Sequence, residues 1–220
     1  MGHAPPAPDG TTSTTRLEAF SDGVFAIAIT LLVLEIKVPA VGEGGPGGLA
    51  AALAARWPSY VAFAISFLQI GIVWANHHAV MDHVRRADRG LLLVTVFFLM
   101  AVSFIPFPTA VLAEHLAEGV GRDRTAAALF FGGAYVWMAV AFNVLWRYIR
   151  RAGLLHDPAH PGARAISRSF GYGPLTYVAV MLLALVNVPA SVAGSALLAV
   201  FWALPQSSGT ARTGQAQPSS

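Results

Sequence analysis

The chain has 220 residues, 55% of them hydrophobic and 11% charged, where a soluble domain is about one quarter charged. With a mean hydropathy of +0.60 and no cysteine, this composition excludes a disordered chain, a disulfide scaffold, a thiolate enzyme and an iron–sulfur protein, and it argues against an ordinary soluble enzyme. The net charge of +3 does not point to nucleic acid, because the basic residues are scattered among loops with no basic run and no aromatic-interleaved RNA-binding motif. At about 20 residues per helical crossing, this length accommodates roughly six spans.

In chain order, the Pro-, Gly- and Thr-rich residues 1–15 are expected to form a disordered leader. They lack the basic start and apolar run of a secretory signal. Thr15 and Glu18 have capping-box spacing, which makes Thr15 the expected N-cap. The first span is expected from Leu17 to Val38, ended by Pro39 and followed by a flexible Gly-rich loop. The second runs from Trp57 to His78, with Pro58 in its first turn. The third, Gly90 to Ala113, contains Pro106 and Pro108, which should kink it. Thr125 to Trp146, Ile166 to Val186 and a short Pro189 to Leu204 complete an all-α, six-span membrane domain over residues 16–205. Residues 206–220 are expected to be a polar, disordered tail. Trp57, Trp146 and Trp202 fall near span ends, as an aromatic belt requires.

Loop charges set the expected orientation. With a cytoplasmic N-terminus, that side holds Arg16, Arg85, Arg86, Arg89, Arg147, Arg150, Arg151, Arg164, Arg168 and Arg212, while the other holds Lys37, Arg56, Arg122 and Arg124. This positive-inside bias places both termini in the cytoplasm and the chain, as a multi-pass protein, in the cell membrane.

The first span is the unusual one, carrying Glu18, Asp22 and Glu35 where the other spans have no interior carboxylate. At about 100° per residue, Leu31 and Leu34 lie within about 40° of Ile27, Thr30 about 60° away, and Ser21 and Asp22 about 120–140° off that stripe. The helix thus has an aliphatic face with one hydroxyl and a separate polar corner. From periodicity alone, the aliphatic face could meet lipid, its own bundle or a pore.

Arg16, Phe20-Ser21-Asp22 and Thr30 together form a pattern RxxxFSDxxxxxxxT. It resembles the signature of the transmembrane protein 175 family, the endolysosomal potassium channel of animals and its prokaryotic relatives. The stretch from Arg16 to Pro39, Trp74-Ala-Asn76-His77-His78 in the second span and Phe104-Ile-Pro106-Phe-Pro108-Thr109 in the third fit that family as well. The motif occurs once, so the chain resembles the single-repeat prokaryotic form. The resemblance implies a homotetramer whose first helices line a central pore without a TVGYG filter. It further implies constriction rings at Ile27, Leu31 and Leu34 and a hydroxyl ring at Thr30. Arg16, Phe20, Ser21 and Asp22 should then fix this helix to its own bundle, with Trp74, Asn76 or His77 nearby.

The expected function is therefore a cation channel with a modest preference for potassium over sodium, not an enzyme. An aliphatic constriction gates by dewetting, and potassium sheds water at lower cost than sodium. Potassium is the permeant ion, and no cofactor, metal or nucleic acid is expected. Glu35 could concentrate cations at the pore mouth or pair with Lys37. The rival is a secondary transporter coupled through Asp22, against which stands the lack of inverted repeats. Two features are set aside. Gly171-Tyr172-Gly173 imitates part of a potassium filter but opens a span. His77, His78, Asp82 and His83 imitate a metal site but suit structural hydrogen bonding or surface exposure better.

Overall fold

The structure, a computed structural model, describes residues 14–118 and 120–203. The tail expected at 206–220 and most of the expected leader lie outside the described residues, but Thr14 and Thr15 are already helical. Helix α1 (Thr14–Leu31) tightens into a 3-10 turn at Leu32–Glu35. Thr15 therefore sits inside the helix, and the capping role expected of it does not hold.

The Gly-rich segment after Pro39 is more ordered than expected. A 3-10 turn at Gly45–Gly47 leads into α2 (Gly48–Ala55). The Glu43 carboxylate accepts the Ala40 N–H at 2.7 Å and pairs with the Arg56 guanidinium. Together the Ala40 N–H and the arginine hold Glu43 below the ordinary carboxylate range.

Helix α3 (Trp57–Met81) starts with Pro58 in its first turn, where a missing N–H costs nothing. The two prolines of the third span divide it into α4 (Arg89–Phe104) and α5 (Pro106–Glu118). The Val102 carbonyl, deprived of a partner at Pro106, takes the Ile105 N–H at 3.2 Å. The Thr109 hydroxyl donates to the Ile105 carbonyl at 2.8 Å and meets Ser66 Oγ of α3 at 2.8 Å. The kink is thereby tied to a neighbouring helix by two buried hydroxyls.

Helix α6 (Arg122–Arg151) packs against α4, α5 and α7 (Pro161–Leu183), and α8 (Val188–Ala203) lies on α3 and α7. Phe131, Tyr135, Met138, Leu145, Trp146 and Ile149 are the large side chains that α6 buries in the core. A Cβ at Gly132 would come within 2.8 Å of Met181, so the α6–α7 approach depends on that glycine.

At one end of the bundle, the α3–α4 and α6–α7 loops are joined. Val84 and Leu155 form an isolated antiparallel bridge, with the Arg85 N–H on the Leu154 carbonyl and the His156 N–H on the His83 carbonyl, both at 2.9 Å. Asp88 caps α4 by accepting the Leu91 N–H and also accepts the Tyr148 hydroxyl of α6. The tyrosine crosses so closely over Gly90 that no Cβ fits there.

Among the described residues, four segments are long and apolar enough to cross a bilayer: Thr14–Glu35, Gly45–Met81, Arg89–Ala117 and Arg122–Arg151. Gly171–Leu183 and Val188–Ala203 are apolar but shorter. Gly171, Tyr172 and Gly173 lie within α7, which confirms that they form no re-entrant loop.

Candidate pore-lining helix

One side of α1 is packed and the other is not. Leu17, Ser21, Phe25 and Ala28 are buried where α1 packs on α3 and α4, and Leu32 is buried where the 3-10 turn packs on α3 and α5. Ile27, Leu31 and Leu34, the three residues of the aliphatic stripe, are 60%, 41% and 72% exposed. The 3-10 turn sharpens this stripe, because residues three apart eclipse in that geometry, setting Leu34 above Leu31. Val33 is also exposed and flanks the stripe instead of packing into the bundle.

Thr30 is on the same exposed side. Its hydroxyl donates back to the helix, with the Ala26 and Ile27 carbonyls both at 2.9 Å. A hydroxyl whose proton points into its own backbone turns its lone pairs outward, the polarity a cation requires.

The polar corner divides in two. Ser21 is fully buried and bonds the Leu17 carbonyl at 2.9 Å. Asp22 is exposed, and its carboxylate accepts the Trp74 indole N–H of α3 at 2.8 Å. Trp74 in turn stacks on His78, 6.2 Å between centroids. His77 is buried, with its ring beside Phe25 of α1, Phe98 of α4 and Phe142 of α6 at 5.6–6.4 Å. Trp74 and His77 thus contact α1, one through a hydrogen bond and one through packing.

Asn76 does not join them. It lines a crevice on the α6–α7 side of α3, because 100° per residue separates it from its neighbour. Arg16 and Phe20 are exposed in the protomer, so the motif as a whole does not anchor α1 to its own bundle. At the far end, Lys37 pairs with Glu114 of α5 at 2.8 Å, so the alternative pairing of Glu35 with Lys37 is not the one formed. Glu35 instead faces a hollow shared with Lys37, Glu43, Arg56 and Glu114. This long-range ion pair, between residues 77 positions apart, left no signal in the sequence. His83 bonds the Ala79 carbonyl at 2.8 Å and meets His160 edge-on. Among the described residues, no three histidines and carboxylates gather as a metal site.

The helix is therefore fastened at both ends and bare along an apolar, hydroxyl-bearing face. The family model for the endosomal/lysosomal potassium channel TMEM175 matches residues 16–106, covering α1 and the helices that hold it. A potassium channel of Streptomyces collinus is 49% identical over 193 residues, 87% of this chain and 92% of that one. The chain belongs to the transmembrane protein 175 family. A further member, a potassium channel of Chamaesiphon minutus, is 41% identical over 195 residues, 88% of this chain and 95% of the relative. The crystal structure of a lysosomal potassium-selective TMEM175 homolog from the same organism superposes with a TM-score of 0.76 at 40% identity, covering 86% of this chain and 96% of that chain.

Proposed function

We propose that the chain is the subunit of a potassium-permeable cation channel, not an enzyme, built from four copies around a pore lined by α1. The observation that carries this reading is the exposed row of Ile27, Thr30, Leu31 and Leu34 on a helix whose other side is packed. One such row cannot enclose an ion path, and closed cyclic symmetry supplies the remaining walls. The names of the bacterial relatives as potassium channels support the permeant ion.

In this reading α7 and α8 complete six spans. Both termini face the cytoplasm of the cell membrane, and residues 16–205 form the channel domain. Ile27, Leu31 and Leu34 form aliphatic rings that exclude water when the pore is narrow, so that an ion must shed its shell to pass. The four Thr30 hydroxyls offer outward lone pairs to a partly dehydrated cation, and Glu35 raises cation concentration at the mouth. Asp22 is a positioning residue for α1. The transporter alternative would need that carboxylate for a coupled ion, whereas one of its oxygens already accepts the Trp74 indole N–H.

The test is the reversal potential under bi-ionic potassium and sodium, with purified protein in planar bilayers. Ile27→Asn and Leu31→Asn should wet the constriction, raise conductance and weaken potassium preference. Thr30→Ala should reduce selectivity with less effect on conductance, and Val33→Ala should change neither. A response at Val33 alone would rotate the pore face away from the stripe. Saturating, slow flux would favour the transporter.

A further inference from the structure

The last turns of α6 carry Arg147, Arg150 and Arg151, which fall within about 100° of arc at 100° per residue. All three are exposed, and with Leu155 and Pro158 they rim a hollow of about 460 Å³. Arg150, Leu155 and Pro158 also line an adjoining hollow of about 180 Å³, to which α7 adds Arg164. Four guanidinium groups thus line two adjoining hollows, with Arg150 common to both. The ion pairs among the described residues are Lys37–Glu114 and Arg56–Glu43, and neither draws on these arginines. Asp157, in the intervening loop, has its carboxylate on the Ala159 N–H at 2.8 Å.

The position of this charge matters as much as its sign. Helix α6 has 30 residues and is about 45 Å long at 1.5 Å per residue, against a hydrocarbon core of about 30 Å. Its final turn therefore stands at the level of the lipid headgroups. One turn deeper on the same side of α6 is Asn143, which lines a crevice of about 200 Å³ with Met138, Ala139, Ile166 and Tyr177 among its walls. That crevice and the arginine recess follow the same α6–α7 seam, since Phe142 and Ile166 of the crevice lie one helical turn from Trp146 and Ala163 of the smaller hollow. The seam presents a polyanion site at headgroup depth and, below it, a mainly apolar slot.

We infer that the α6–α7 seam binds an anionic glycerophospholipid, with its phosphate among Arg147, Arg150, Arg151 and Arg164 and one acyl chain in the crevice below. Basic pockets between membrane helices hold anionic headgroups in this manner. A free phosphate would use the arginines and leave the crevice without purpose.

The experiment is native mass spectrometry of the full chain in detergent, after incubation with phosphatidylglycerol or phosphatidylcholine of matched acyl chains. Phosphatidylglycerol should be retained in clear excess, and each arginine removed should cost about fivefold in its retention. Arg150→Gln with Arg151→Gln should lose it, the corresponding lysine pair should keep most of it, and Arg122→Gln at the opposite end of α6 should have no effect. Ala139→Phe, which fills the crevice without touching the charges, should also lower retention. Where the glutamine pair fails to fold, the wild-type protein still decides, because added salt should erode its preference for the anionic lipid. Equal retention of the two lipids overturns the proposal. So does protection against thermal unfolding by glycerol phosphate as strong as that by the intact lipid, or unchanged retention in Ala139→Phe.

Discussion

Helices α1 and α6 are both apolar, yet they spend their side chains differently. Helix α6 turns Phe131, Tyr135, Met138, Leu145 and Trp146 into the core of its own protomer. Helix α1 and the 3-10 turn that follows it bury a narrow strip from Leu17 to Leu32 and leave Ile27, Leu31 and Leu34 outside. In a membrane, apolar character does not decide between these fates, because lipid is as apolar as a core. What decides is complementary shape and the few polar groups that fasten one helix to another.

Truncating each helix in turn tests the contrast most severely. Phe131→Ala should open a void of roughly 100 Å³ and cost about 2–3 kcal/mol of protomer stability at about 24 cal/mol per Å³. Leu31→Ala should leave protomer unfolding unchanged and alter only conduction. Thermal unfolding in detergent measures both, and equal losses would erase the distinction between the two helices. Next in size is the buried hydroxyl pair at the kink. Thr109→Val removes the hydroxyl that Ser66 Oγ meets and should cost about 1–2 kcal/mol by the same assay, whereas Thr109→Ser should recover most of it.

A smaller effect is expected where α1 is fastened. Trp74→Phe removes one N–H from the Asp22 carboxylate, for about 1 kcal/mol. It should lower the yield of assembled protein on size exclusion while leaving the reversal potential unchanged. A normal yield with shifted selectivity would place Asp22 in the ion path. The smallest effect belongs to the clasp before α2. Because the folded pKa of Glu43 is depressed, its contribution is complete above the ordinary glutamate range and is lost as pH falls through the lowered value. The protection of the Ala40 amide, taken as its exchange rate relative to the intrinsic rate at each pH, should hold at neutral pH and fall only in acid.

The apolar runs made most of the bundle legible, and Pro106 and Pro108 marked the break between α4 and α5 at the right place. The aliphatic stripe of α1 was also legible, because its 3.6-residue period is a local property. What was hidden depended on rotation and distance. Helix α3 is apolar nearly all round, so nothing local indicated that His77 faces α1 while Asn76 faces away. The Lys37–Glu114 pair joins segments with no shared pattern. Helix α2 was masked by the glycines before it, although the alanines of Gly48–Ala55 favour a helix. The motif that joins Arg16 and Phe20 to Ser21 and Asp22 fixes spacing along the chain but not which surface each member faces. The exposure of Arg16 and Phe20 shows that its members divide between two surfaces.

The joined loops at one end of the bundle carry a consequence for biosynthesis. The Asp88 carboxylate waits for a tyrosine 60 residues downstream, and Leu154 completes the backbone pairing of Arg85 only after that. At a synthesis rate of about 5–20 residues per second, the interval between Asp88 and Tyr148 is about 3–12 s. During that time the α3–α4 hairpin is inserted but unlatched, its Gly90 surface open. The arrival of α6 therefore does two jobs at once, filling the core and closing a loop made several seconds earlier.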